Sequence, residues 1–162
     1  MMMEKNKCNL CPRNCFVDRE EGEIGYCGQT DKVRIARAAL HMWEEPCISG
    51  TKGSGTVFFS GCNLHCVFCQ NFDISCKGFG KEISIERLQE IYQELIAQGA
   101  HNINLVTPTH FAEAVIKSLP EKLSVPVVYN TSGYELSESI KLLSSLEDKE
   151  FSRYADMMKQ YF

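Results

Sequence analysis

The sequence has no apolar run approaching the roughly 18 residues of a membrane span. Its first residues, Met1-Met2-Met3-Glu4-Lys5-Asn6-Lys7, lack the apolar stretch of a signal peptide. A spanning or exported protein is therefore not expected, and a cytosolic setting is. There is no basic excess either: 17 Lys and Arg stand against 21 Asp and Glu, a formal charge of -4. That balance argues against a broad nucleic-acid footprint, which needs a basic face. Gly50-Thr51-Lys52-Gly53-Ser54-Gly55-Thr56 is rich in glycine, but the order G-x4-G-K-[ST] is missing, so these residues read as a turn before a strand rather than a phosphate loop.

Cysteine, in contrast, is plentiful. Nine in 162 residues would mean disulfides in a secreted chain, but the count is odd and no export signal is visible. Metal binding by reduced thiols is the better account. At this length, with 44% hydrophobic residues, one core and a small appendage are expected. We divide the chain into a Cys-rich metal-binding segment, residues 1–31, and an α/β core, residues 32–162.

The cysteines fall into two groups. Cys62, Cys66 and Cys69 lie in Ser60-Gly61-Cys62-Asn63-Leu64-His65-Cys66-Val67-Phe68-Cys69-Gln70-Asn71, with spacing C-x3-C-x2-C. Four-iron clusters held wholly by protein use four cysteines, so three thiolates leave one iron open. An open position is what separates a catalytic metal from a closed structural one. The alternative is a zinc knuckle with His65 or Cys76 as fourth ligand, although zinc sites more often pair C-x2-C with a distant second pair. Cys8, Cys11, Cys15 and Cys27 form the other group, C-x2-C-x3-C-x11-C, in a polar segment ending Gly25-Tyr26-Cys27-Gly28. Four soft ligands suit either a closed zinc site or an auxiliary iron-sulfur cluster. A segment so poor in apolar residues depends on metal to fold. Cys47 is read as an ordinary buried thiol, with a ligand or hydrogen-atom donor role near the active site as the alternative.

The remainder alternates strand and helix. Val33 to Met42 reads as a strand, and Thr56-Val57-Phe58-Phe59-Ser60 as a buried strand that delivers the three-cysteine loop from its C-terminal end. Ser84 caps a helix with apolar Ile85, Leu88, Ile91, Tyr92, Leu95 and Ile96 at helical spacing, and Gly99 stops it. Asn102 to Thr107 reads as a strand, His110 to Leu119 as a helix, Val125 to Asn130 as a strand weakened by Pro126, and Leu136 to Leu146 as a helix. Such alternation implies parallel strands, whose C-terminal ends gather functional groups. The loops at those ends are Thr107-Pro108-Thr109-His110 and Asn130-Thr131-Ser132-Gly133-Tyr134.

Cys62, Cys66 and Cys69, with aromatic Phe68 directly before the last cysteine, resemble the cluster loop of the radical S-adenosylmethionine enzymes. Together with Cys8-Asn9-Leu10-Cys11-Pro12-Arg13-Asn14-Cys15 and Trp43-Glu44-Glu45-Pro46-Cys47, they resemble the branch similar to pyruvate formate-lyase activating enzyme, from Cys8 to about Leu146. The resemblance implies a 4Fe-4S cluster on the three cysteines and S-adenosylmethionine chelated at the open iron. One-electron cleavage there gives a 5'-deoxyadenosyl radical. It places Phe68 near the adenine, Thr107 and Thr109 on the methionine side, and Asn130 and Ser132 on the ribose side. The first of these loops departs from the family's usual Gly-Gly-Glu stretch. An electron donor such as a flavodoxin or ferredoxin is implied, and a glycyl radical enzyme or other protein as substrate; no catalytic residue beyond the cofactor ligands is assigned. The implied fold is a (βα) barrel of about six units, of which only three are visible, so about half is present. Where a fourth strand is expected, the chain gives Glu147-Asp148-Lys149-Glu150 and a tail from Phe151 to Phe162. An open sheet edge beside Val127-Val128-Tyr129 would call for a homodimer or a covering helix. The other reading is a truncated, non-catalytic iron-sulfur or zinc-binding protein.

Overall fold

The computed structural model describes residues 7–119 and 123–144. The run Glu147-Asp148-Lys149-Glu150, the tail from Phe151 to Phe162 and the last residues of the helix expected to reach Leu146 lie outside them. No helix among the described residues is long and apolar enough to cross a membrane.

The framework is one mixed five-stranded sheet with helices. In chain order the elements are β1 (Arg34–His41), α1 (Pro46–Ser49), β2 (Ser54–Phe59), α2 (Phe72–Ser75), β3 (Lys81–Glu82), α3 (Ile85–Ala97), β4 (Ile103–Val106), a 3-10 turn (Thr109–Phe111), α4 (Ala112–Ser118), β5 (Val127–Asn130) and α5 (Ser137–Ser144). The sheet order is β3-β1-β2-β4-β5. β2, β4 and β5 are parallel, in the register Val57 to Leu105 to Tyr129. β1 runs antiparallel to both β2 and β3, so strand-helix alternation holds only from β2 onward. No barrel is formed by the described residues.

Local chemistry explains the element ends. The Ser84 hydroxyl accepts the Arg87 amide at 3.1 Å and opens α3. At the other end Gly99, with φ 92, lets the chain turn so that the Ala100 amide reaches the Leu95 carbonyl at 3.1 Å. β5 begins at Val127 rather than Val125 because Pro126 has no N–H to donate; only its carbonyl joins the ladder, accepting the Ile103 amide at 2.9 Å. α3 buries Leu88, Ile91, Tyr92 and Leu95 in one core with Val57, Phe59, Ile103 and Leu105 of the sheet, Phe111 of the 3-10 turn and Val115 of α4. The Tyr92 and Ser118 hydroxyls, 3.1 Å apart, join α3 to α4 inside this core.

The glycine-rich turn before β2 binds a side chain of its own: the Thr51 and Lys52 amides both donate to the His101 ring at 3.2 Å. Cys47 lies on α1, between the end of β1 and the start of β2, at the opposite end of the sheet from the three-cysteine loop.

Candidate metal centre

Three parallel strands deliver three loops to one end of the sheet. Cys62, Cys66 and Cys69 follow β2, Thr107 and Thr109 follow β4, and Asn130 to Glu135 follow β5. The loop after β2 starts at Gly61, where φ is 83 and a Cβ would stand 2.5 Å from the Cys27 carbonyl oxygen, so only glycine fits there. All three cysteines are half-buried and unpaired. The Leu64 amide donates to Cys62 Sγ at 3.4 Å, the Ser75 hydroxyl to Cys69 Sγ at 3.3 Å, and the Cys69 amide closes a turn onto the Cys66 carbonyl at 3.1 Å. The Cys76 thiol is 3.5 Å from the same Ser75 hydroxyl, which brings a fourth cysteine to the loop's edge. Phe68 and Val67 project into solvent between the ligands, 84% and 95% exposed.

The three loops are tied to one another. The His110 Nε2 is 2.7 Å from the Ser60 carbonyl, the Asn63 amide donates to the Tyr134 carbonyl at 2.8 Å, and the Thr107 amide to the Asn130 carbonyl at 2.9 Å. His110 is wholly buried and stays neutral: burial lowers its pKa to about 4, and the charges of Arg19 and His65 act in the same direction. Thr107 has φ 55, an unusual conformation for a β-branched residue.

Of the residues expected to face a cofactor, Thr107 and Asn130 stand side by side at the strand ends, Ser132 is exposed, and Thr109 is buried with its hydroxyl donating to Glu135 Oε1 at 2.6 Å. Glu135 stands beside these residues without having been expected there. Its Oε1 also accepts the Thr131 hydroxyl, while its Oε2 is buried without a partner. No spacing pattern singles it out; only the fold sets it beside Thr109, 26 residues earlier.

The N-terminal cysteines occupy a ribbon packed on this same end. Residues 8–17 form a tight loop, with the Cys8 amide on the Val17 carbonyl at 2.9 Å and the Phe16 amide on the Cys8 carbonyl at 3.0 Å. Burial raises the Cys11 and Cys27 thiols; Cys8 and Cys15 add to the rise at Cys11, and Cys8 and Cys11 to that at Cys27. Amide donors oppose it, from Arg13 at Cys11 and from Gln29 at Cys27. As they stand, no three His, Cys, Asp or Glu side chains among the described residues are close enough together to hold an ion.

A loop of three thiolates, supplied with donors and set at the mouth of a parallel sheet, fits an iron-sulfur centre by the chemistry of its donor set, and an iron-sulfur protein is the class so defined. The chain matches the model of the 4Fe-4S single cluster domain over residues 48–158 and belongs to that family. Cys62, Cys66, Cys69 and Cys76 fall inside the match; Cys8, Cys11, Cys15 and Cys27 fall outside it. Two uncharacterized proteins of Methanocaldococcus jannaschii are similar. One is 33% identical over 150 residues, 87% of this chain and 43% of that protein. The other is 27% identical over 84 residues, 44% of this chain and 25% of that protein. The chain thus spans less than half the length of the curated relatives it matches. No solved structure matches it.

Proposed function

We propose that Cys62, Cys66 and Cys69 hold a 4Fe-4S cluster with one iron open to S-adenosylmethionine, and that the protein cleaves this cofactor reductively, as a radical enzyme similar to the activases of glycyl radical enzymes. The observation that carries this reading is the number and place of the thiolates: three on one loop, facing two polar strand-end loops. When bound, the cluster supplies the electron that breaks the sulfonium bond and yields the 5'-deoxyadenosyl radical.

The protein's own groups would bind and orient the cofactor. Glu135 Oε2, buried and unpartnered, is an acceptor held in position by Thr109 and Thr131, suited to a cofactor ammonium or hydroxyl donor. Asn130 and Ser132 line the ribose side, Thr107 and Thr109 the methionine side, and Phe68 covers the adenine. The exposed Val67 gives an electron donor such as a flavodoxin or ferredoxin an apolar contact beside the metal. The parallel strands β2, β4 and β5 form part of a (βα) barrel in this reading. Because β5 ends the sheet among the described residues, a homodimer joined there is included, and sedimentation at the mass of one chain would remove it.

The test is cleavage. With a strong reductant and S-adenosylmethionine, the anaerobically reconstituted protein should release 5'-deoxyadenosine, and Glu135→Gln should weaken cofactor binding about tenfold through loss of a charge-assisted hydrogen bond. Absence of both product and cofactor binding would overturn the reading.

The placement of Cys76 favours one rival. Its thiol shares the Ser75 hydroxyl with Cys69, so a fourth thiolate is available to close the cluster, leaving a non-catalytic iron-sulfur protein. Cys76→Ser separates the two: an open-iron cluster is unaffected, whereas a closed one loses a ligand.

A further inference from the structure

We propose that Cys8, Cys11, Cys15 and Cys27 form a second metal site, taking one thiophilic divalent ion in closed four-thiolate coordination, and that this ion clamps the three-cysteine loop onto the sheet. The site does not depend on the reading of the three-cysteine loop as a radical centre. The residues lie outside the stretch that matches the single-cluster family, so nothing in that match accounts for them.

Four observations support a metal here. Cys8, Cys11 and Cys15 lie on one tight loop, closed by the Cys8 amide on the Val17 carbonyl at 2.9 Å and the Phe16 amide on the Cys8 carbonyl at 3.0 Å. The Tyr26 amide donates to Cys15 Sγ at 3.3 Å, which sets Cys27, the next residue, against that loop. Gly25 lies so close to Cys15 that a Cβ would stand 3.3 Å from its sulfur. The ribbon also has little else to hold its shape: Phe16, Ile24 and Tyr26 are exposed. An amide donor aimed at sulfur, a glycine that makes room beside it and so few buried apolar side chains suit thiolates closed around an ion. Drawing the sulfurs in to coordination distance is then part of folding the segment.

The ribbon reaches the neighbouring loop by four routes, which give the ion its second role. Arg13 Nε donates to the Asn63 carbonyl at 2.8 Å, and its guanidinium lies 3.8 Å from the centre of the Tyr26 ring. Tyr26 in turn stacks on His65 at 4.7 Å. The Arg13 guanidinium also lies 5.3 Å from the centre of the Tyr134 ring, whose backbone carbonyl accepts the Asn63 carboxamide at 2.8 Å. Buried Arg19 donates to the carbonyls of Gln29, Thr30 and His110, and the His110 ring meets the Ser60 carbonyl at the base of the loop. Ordering the ribbon therefore orders the frame around Cys62, Cys66 and Cys69.

The experiment uses the full chain with Cys62, Cys66 and Cys69 all replaced by Ala, so that no iron-sulfur centre at that loop contributes. Loaded with cobalt(II), this protein should bind about one equivalent and show the sulfur-to-metal charge-transfer and strong visible bands of a tetrahedral thiolate site; zinc should displace the cobalt stoichiometrically. Adding Cys11→Ser and Cys27→Ser should abolish the bands. If that variant fails to fold, Cys15→Ser alone in the same triple-Ala background, which should weaken cobalt binding and shift the bands, serves instead. For the clamp, Arg13→Gln should keep the cobalt bands yet speed backbone hydrogen exchange at 61–66 several-fold in the iron-free chain. Cobalt without thiolate bands, or a metal content unchanged by the cysteine replacements, overturns the site. Iron with acid-labile sulfide bound in place of one ion overturns the single-ion form. Unaltered exchange at 61–66 in Arg13→Gln overturns the clamp.

Discussion

The two cysteine loops meet at one end of the molecule but are built by opposite means. The loop after β2 is short and is carried by a sheet whose core, Val57, Phe59, Leu88, Tyr92, Ile103 and Leu105, is closed to solvent. The N-terminal ribbon has no such support; its shape comes from tight turns and the buried Arg19, and it carries four thiols of its own. The lesson concerns coordination number. A loop that a sheet already holds can leave a metal position open for chemistry, whereas a ribbon without a core needs its metal closed.

The comparison is sharpened most by weakening the sheet. Leu88→Ala removes a wholly buried side chain and should cost about 2–5 kcal/mol of global stability in denaturant unfolding. Cluster retention should fall with it, while cobalt binding at the ribbon persists. Equal loss at both loops would mean that the two share one support.

Acid should act on the joint between the loops. Burial holds His110 neutral in the fold, its pKa lowered to about 4, whereas in the unfolded chain it titrates near the ordinary value of 6.5. Between those values the unfolded chain takes up a proton that the folded one does not, so stability falls as pH drops, by roughly 3 kcal/mol in all. His110→Gln should flatten that part of the stability-pH curve; an unchanged curve would remove His110 from the joint.

Thr107→Gly should stabilise the chain by about 1 kcal/mol, because glycine accepts φ 55 without the strain of a β-branched residue. If Thr107 serves the cofactor, the same change weakens S-adenosylmethionine binding; a gain in stability with no loss of binding would make the strain merely local. The smallest effect is expected from Cys76→Ser, which should leave the iron content and the cluster spectrum as they were.

Much of the framework was legible because it rests on local pattern. The β-branched and aromatic run ending at Phe59, the Ser84 cap, the apolar stripe of α3 and the Gly99 stop all carry their reasons within a few residues. The four-residue helices α1 and α2 are too short to show a period, and β3, only Lys81–Glu82, forms because Arg34 and Ile35 offer it an edge. At the site, the place of the three-cysteine loop after a buried strand was readable from the run that ends at Phe59. Glu135, Asn63 and Arg13 were not, because their roles depend on contacts with residues 26 to 71 positions away, which only the fold creates.

The central claim is a cluster on three cysteines with one iron left open. It is tested most directly by anaerobic reconstitution of the full chain with iron and sulfide, followed by electron spin-resonance of the reduced protein before and after S-adenosylmethionine is added. The account predicts a 4Fe-4S signal that shifts on addition and is absent when Cys62, Cys66 and Cys69 are all replaced by Ala. A full signal in that variant with Cys8, Cys11, Cys15 and Cys27 also replaced, or a wild-type signal indifferent to S-adenosylmethionine, would contradict it.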